Sequence, residues 1–277
     1  MALSLGLGVG FYKLGGSSPL SAPGVTDVEP QALELWLKNG AKGGNFVGSH
    51  VVQWDDFSGN NRHAKWPGWG GSGDNIVMNA TTGAIPLDRT VPHYFPLEGT
   101  DISLDDQLTL FAVASFDIPS PANVMFLLSN GNNDAFGESN IRLFDSPLST
   151  VGQFAMIRDS KGQRFVTESE SGGENVNTLQ DGVKSIVSIQ REGNDIGDKV
   201  IFKVNGVNIP DDGTGGTYGA ANDDGVLTLN SFGLNNTVQQ GPQGDFFEVV
   251  LYSTFLDGDN YNNVYNDIAS RCDLPTI

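Results

Sequence analysis

The sequence predicts an all-β sandwich with one short C-terminal helix. Three observations carry that prediction. Short apolar stretches recur along the chain and are separated by turn-forming residues, the pattern of many short strands. Gly makes up 36 of the 277 residues, close to twice the usual share of about 7%. Charged residues are 17% of the chain, below the usual quarter or so. Many glycines and few charges suit strands and turns better than long helices. A chain of this length can bury a full core as a single β domain.

The elements follow in order. Leu3, Leu5, Leu7, Val9 and Phe11 alternate with Ser4, Gly6, Gly8 and Gly10, a period of two with one bulky face and one nearly bare face. Gly15-Gly16-Ser17-Ser18-Pro19 and Ser21-Ala22-Pro23-Gly24 follow and have the composition of a linker. Residues 1–27 therefore read as an arm and tether, and residues 28–277 as the globular body. Two readings of the arm stay open: a strand that pairs with its own sandwich, or one that docks on a neighbouring subunit by strand addition.

In the body, Gln31 to Leu37 alternates around Trp36. Val51 to Asp55 does the same around Trp54 and runs into the turn Ser58-Gly59-Asn60-Asn61, where Gly and Asn adopt positive φ at little cost. Trp66, Trp69 and the Gly-rich run Gly68-Gly73 form a loop. Val91 to Pro96 reads as irregular chain leading to Ile102-Ser103-Leu104. Leu108 to Phe116 is the strongest strand, apolar enough for burial on both faces. Val124–Leu128, Ile141–Phe144, Gln153–Ile157 and Arg164–Glu168 are shorter candidates. Lys184–Gln190 and Val200–Val204 each alternate, with Arg191–Lys199 as a polar loop between them. Asn205-Gly206 marks a hairpin turn. Val226–Leu229 and Phe246–Tyr252 complete the strands. Asp257 is a candidate N-cap for a helix in which Tyr261, Val264, Tyr265, Ile268 and Cys272 recur at helical spacing. Leu274-Pro275 ends it.

Leu35-Trp36-Leu37, Trp54-Asp55-Asp56-Phe57-Ser58-Gly59-Asn60, Leu108 to Val113, and Gly244 to Tyr252 with its closing helix stand in the order used by concanavalin A-like lectin and laminin-G sandwiches. The chain resembles that group over most of its body, which implies a jelly-roll. The Leu/Gly-alternating start resembles the starts of virion structural proteins from tailed bacteriophages. That second resemblance implies a head-surface decoration, fibre, tail or neck appendage, assembled in the host cytoplasm as a homo-oligomer and attached to other virion proteins through Leu3, Leu5, Leu7, Val9 and Phe11.

Lys and Arg number 15 against 33 Asp and Glu, a formal net charge of −18. That disfavours nucleic acid and anionic membranes as partners. With one cysteine, Cys272, no intramolecular disulfide forms, and its setting is that of a small buried apolar residue. No apolar run is long enough to insert into a membrane.

The residues supply no recognised catalytic set, and the chain reads as a non-enzyme. Glycoside hydrolysis needs two carboxylates across a cleft; Glu168-Ser169-Glu170 is the nearest string and lies beside Ser171-Gly172-Gly173, which reads as loop. Gly70-Gly71-Ser72-Gly73 lacks the spacing of a nucleophile elbow. His50, His63 and His93 lack zinc spacing, and His63 is expected to bond within its turn. No cofactor is required. The resemblance to lectin-like sandwiches implies a calcium option, with Asp55, Asp56, Asn60 and Asp223 as candidate ligands, although structural turns account for them better. Trp66 and Trp69 are candidate platforms for host-surface glycans, with a carbohydrate-binding module or receptor-binding adhesin as the alternative function.

Overall fold

The structure, a computed structural model, describes residues 23–38, 44–47, 50–65, 83–87, 94–117, 124–130, 139–144, 151–158, 162–169, 179–180, 182–193, 200–209, 217–219, 227–233 and 243–277. Along the chain the strands are β1 (Leu33–Lys38), β2 (Gly44–Val47), β3 (His50–Trp54), β4 (Ala64–Lys65), β5 (Ile85–Leu87), β6 (Tyr94–Pro96), β7 (Ile102–Leu104), β8 (Leu108–Phe116), β9 (Val124–Ser129) and β10 (Asn140–Phe144). Then come β11 (Val151–Arg158), β12 (Gly162–Ser169), β13 (Lys184–Arg191), β14 (Val200–Val204), β15 (Val207–Asn208), β16 (Thr217–Gly219), β17 (Leu227–Leu229), β18 (Ser231–Gly233) and β19 (Gly244–Tyr252). One helix, α1 (Gly258–Arg271), closes the chain.

Two antiparallel sheets make the sandwich. The first runs β1-β19-β8-β13-β14-β15, with β5 also on β19. The second runs β16-β12-β11-β10-β9-β18-β6. Small sheets β17-β7 and β2-β3-β4 lie beside them. The core between the sheets takes Leu35, Leu37, Leu110, Ala112, Val187, Ile189, Phe202, Val249 and Leu251 from the first sheet and Leu128, Ile141, Leu143, Ala155 and Phe232 from the second. Its aromatic centre is a chain of edge-to-face rings: Trp54 on Phe232 at 5.3 Å, Phe232 on Phe246 at 5.4 Å and Phe246 on Phe116 at 5.6 Å. Each such pair is worth about 0.5–1.5 kcal/mol beyond the area it buries.

A second apolar cluster lies on the outer face of the first sheet. There Trp36, Phe111, Val113, Ile186, Val250 and Tyr252 meet Tyr261, Val264, Tyr265, Ile268 and Ala269 of α1. This layer explains why Leu108–Phe116 is apolar on both faces. It also buries β13 on both faces. Its sequence alternates, but Val187 and Ile189 face the core while Ile186, Ser188 and Gln190 lie under the helix. Ser188 Oγ and Tyr261 OH share a 2.8 Å hydrogen bond, and Gln190 Nε2 donates to Leu256 O at 2.6 Å, so a polar outer row is buried without loss of its hydrogen bonds.

Four expectations are revised. The segment read as irregular chain before Ile102 contains β6, because Phe95 and Phe232 pair across β6 and β18. Arg191 ends β13 and is fully buried, its Nη2 donating to Leu104 O and Asp105 O. Strand β12 runs beyond the expected Arg164–Glu168 at both ends and takes in Ser169. Asp257 stands at the helix N-cap with extended backbone, but its side chain makes no cap hydrogen bond; its carbonyl accepts from Tyr261 N.

The hairpin turn at Asn205-Gly206 is as expected, with φ of +49° and +79°, the handedness a two-residue hairpin favours. Gly244 is required by close approach. Its φ is +118°, and a Cβ there would lie 2.1 Å from Ser115 O.

The tether does not extend to residue 27. Val25 and Val28 are buried against α1. Val25 N donates to Asp267 Oδ2 at 2.8 Å, and Tyr252 OH donates to Val25 O at 2.6 Å. A Cβ on Gly24 would meet Asp267 Oδ2 at 2.5 Å, so a glycine lets the backbone reach this clamp. The arm residues Leu3, Leu5, Leu7, Val9 and Phe11 lie outside the described residues.

Candidate functional site

The turn that follows β3 runs along the free edge of β1. Leu37 and Asp56 form an antiparallel bridge, and Phe57 N donates to Trp36 O at 2.8 Å. Gly59 and Asn61 supply the positive φ values, +93° and +57°, that the Ser58-Gly59-Asn60-Asn61 run anticipates.

Asp56, buried to 8% exposure, organises this turn. Its Oδ1 accepts from Trp36 N and Ser58 N, both at 2.9 Å. Its Oδ2 accepts from Ser58 Oγ at 2.8 Å and Arg62 N at 2.9 Å. Asp56 N donates to His63 Nδ1 at 3.1 Å, so His63 bonds within its turn as expected. With Nδ1 accepting, the 3.7 Å approach of Asp55 Oδ1 to the same nitrogen is not a charge-assisted hydrogen bond.

Asp56, named above as a candidate calcium ligand, has the contacts of a structural turn residue. Its carboxylate lone pairs are already taken by N–H and O–H donors, whereas a calcium ligand needs them free. Asn60 ties the turn to β1, its Nδ2 donating to Leu33 O at 2.8 Å and Glu34 O at 3.1 Å. Asp55 Oδ1 accepts from Gln53 Nε2 at 2.5 Å. Among the described residues no group of three or more His, Cys, Asp or Glu is gathered for a metal ion. Asp223, Trp66 and Trp69 lie outside the described residues, as do His93 and the Gly70–Gly73 run.

The sequence reading missed the side chains this turn gathers. Phe57 is 38% exposed and stands edge-on to Trp36 at 5.9 Å. Lys38 Nζ lies 4.9 Å from the Trp36 ring and 5.4 Å from the Phe57 ring, within cation–π range. Arg62 braces the other side, with Nη1 2.8 Å from both Glu34 O and Glu34 Oε2. An aromatic inside a turn of Asp, Ser, Gly and Asn was the available signal.

Behind Trp36 lies a buried polar chain. Trp36 Nε1 donates to Glu248 Oε1 at 2.6 Å, and Arg271 Nη2 donates to the same oxygen at 2.6 Å. Arg271 Nη1 reaches Asp267 Oδ2 at 2.5 Å, the oxygen that also holds Val25 N. Cys272 Sγ lies 3.8 Å from Glu248 Oε2. Burial and then the Glu248 carboxylate push the Cys272 thiol up to about 12. Cys272 is therefore expected to resist iodoacetamide at pH 8 in the native protein and to react fully in denaturant, a difference readable by mass spectrometry. Because its folded pKa is raised, the stability linked to this thiol is whole below about pH 9 and declines as pH rises toward 12. Burial raises Tyr252 and Tyr261 in the same direction.

The two sheets differ in their outer faces. The first is sealed by α1. In the second, Asn140 and Arg142 alternate with the core residues Ile141 and Leu143 and so stand on the outer face, where both are buried. Ser129 Oγ and Ser231 Oγ, 2.8 Å apart, also donate to Gly233 O and Ser129 O on the neighbouring strands.

No protein-family model matches the sequence, and no curated protein is similar to it. Solved structures do match. A Trypanosoma rangeli sialidase in complex with sialic acid aligns over 88% of this chain and 34% of its own, with TM-score 0.46 and 13% identity. The CBM40 of a Ruminococcus gnavus IT-sialidase bound to alpha2,3 sialyllactose aligns over 59% of this chain and 92% of its own, with TM-score 0.34 and 14% identity. The enzymatically active domain of bacteriophage CBA120 tailspike protein 2 aligns over 69% of this chain and 28% of its own, with TM-score 0.41 and 14% identity.

The chain is an antiparallel β-sandwich. It spans about a third of the sialidase chain. The expectation that it is not an enzyme is corrected here, since enzymes stand among the similar structures. The physical reason is that a sandwich accommodates catalysis and binding alike, so a missing sequence motif does not exclude a site. Among the described residues no helix is long and apolar enough to cross a membrane.

Proposed function

We propose that the chain is an appendage of a tailed-phage virion, attached through its N-terminal arm and displaying a sandwich that contacts carbohydrate. The observation that carries the attachment reading is the anchoring of residues 24–28. Helix α1 and the Gly24–Val28 clamp cover the outer face of the first sheet, so the chain ahead of residue 24 starts from that side. Carbohydrate contact is supported by the exposed Phe57 ring, held edge-on to Trp36 beside Lys38 on the turn after β3. The Leu/Gly alternation of residues 3–11 suits strand addition to a partner.

The test keeps the clamp intact. A chain lacking residues 1–22 is expected to fold with unchanged melting temperature but to be lost from assembled particles. Full incorporation of the folded truncation overturns attachment through the arm. On a glycan array the intact chain is expected to bind, and Trp66→Ala or Trp69→Ala to weaken that binding. A chain that binds glycans but is never found in particles supports the adhesin reading instead.

A further inference from the structure

We infer that the turn after β3 forms a binding site for a neutral pyranose, built from Phe57, Lys38 and Asp55. The inference rests on the proposal that the domain contacts carbohydrate, and it adds a site and a ligand class.

Four observations converge. Phe57 is among the few large apolar side chains exposed in the described chain, at 38%, and its ring is supported edge-on by Trp36. Its backbone N–H donates to Trp36 O, and the next residue, Ser58, is held through N and Oγ by the Asp56 carboxylate, so the ring is presented on a braced turn and little ordering entropy is lost on contact. Lys38 has the Trp36 and Phe57 rings as its contacts, and no described carboxylate lies within ion-pair distance of it. The Leu37–Asp56 bridge sets Lys38 opposite Asp55 and Trp36 opposite Phe57, and Cβ atoms of such cross-strand neighbours are about 5 Å apart.

That arrangement matches the two sides of a sugar ring. A pyranose offers an apolar C–H face, which an exposed aromatic covers, and a rim of hydroxyls that both donate and accept. Lys38 supplies donors with no acceptor, and ionised Asp55 supplies acceptors with no donor. Asp55 Oδ1 already takes Gln53 Nε2, so Oδ2 is the oxygen that would accept from a hydroxyl. The charges select the class. Asp55 beside Lys38 opposes an anionic sugar, and Lys38 opposes a cationic one, so a neutral hexose is the ligand that leaves neither charge unbalanced.

The experiment is a glycan array carrying neutral, sialylated and sulfated glycans, followed by titration of the best neutral glycan into the full chain. The Trp36 indole N–H resonance is followed in 1H–15N spectra. The expected result is binding to neutral hexose glycans, a shift of the Trp36 resonance, and affinity at least tenfold weaker for Phe57→Ala and for Lys38→Met. Val183→Ala, at an exposed position on another strand end, is expected to bind as the parent does. Each variant is checked by circular dichroism and melting temperature, and Phe57→Tyr, which keeps the ring, is expected to retain binding even if Phe57→Ala loses stability. Neutral-glycan binding that survives both Phe57→Ala and Lys38→Met overturns this site and leaves carbohydrate contact elsewhere standing. Binding confined to sialylated or sulfated glycans overturns the ligand class. An intact chain that binds no glycan overturns both this site and the carbohydrate reading it rests on.

Discussion

Asp56→Ala is expected to destabilise the domain by about 3–5 kcal/mol, enough to remove a large part of a typical domain's stability. The variant deletes a buried carboxylate that accepts from Trp36 N, Ser58 N, Ser58 Oγ and Arg62 N. Hydrogen bonds to a charged group are each worth about 1.5–3 kcal/mol, and donors left unpaired add their own desolvation penalty. The sum is smaller than four such bonds, because water reaches Ser58 and Arg62 once the turn loosens. Asp56→Asn is expected to lose about half as much. It keeps one accepting oxygen but turns an amide NH2 toward donors. Urea unfolding followed by tryptophan fluorescence measures both. A loss below 1 kcal/mol for the alanine variant would show that the turn is held by its backbone alone.

Glu248→Ala has an effect of similar size on the opposite side of Trp36. Glu248 is 2% exposed and holds Trp36 Nε1 and Arg271 Nη2 on one oxygen. Removing it leaves an indole N–H and part of a guanidinium without an acceptor in a buried layer. Breaking a buried ion pair from one side costs about 3–5 kcal/mol. Arg271 keeps Asp267, which places the expected loss toward the lower figure. The decisive comparison is the double variant Glu248→Met with Arg271→Met. It removes both charges and is expected to recover at least half of the loss, because replacing both partners by apolar groups is often close to neutral. Equal destabilisation of the single and double variants would show that the energy lies in the Trp36 and Cys272 contacts instead.

The legible parts of the fold were those set by local periodicity. Leu108–Phe116, Val200–Val204, Phe246–Tyr252, the Asn205-Gly206 turn and α1 all follow from spacing and turn chemistry within a few residues. The less legible parts depended on partners far along the chain. Burial of both faces of β13 required α1 to lie across it, and Ser188 and Gln190 give no hint of that in sequence. Strand β6 exists because β18 pairs with it. The clamp at Gly24–Val28 was hidden by a linker-like composition, since Gly24 serves a close approach to Asp267 rather than mobility. At the candidate site, Asp55, Asp56 and Asn60 were singled out as acidic or amide turn residues. What they do there was not readable, because it depends on β1 lying alongside: Asp56 and Asn60 face backbone donors and acceptors, and Phe57 becomes a presented ring only against Trp36.

The last strand to be synthesised, β19, lies inside the first sheet, between β1 and β8. The Trp36–Glu248 hydrogen bond spans 212 residues and the Tyr252–Val25 bond 227. A nascent chain emerging from the ribosome therefore cannot complete this sheet until nearly all of the domain has left the exit tunnel. Until then β1 and β8 expose unpaired edges, a state prone to association with other chains. Folding should be a late, slow event dominated by closure of very long loops, and its yield should fall when translation stalls between β14 and β19.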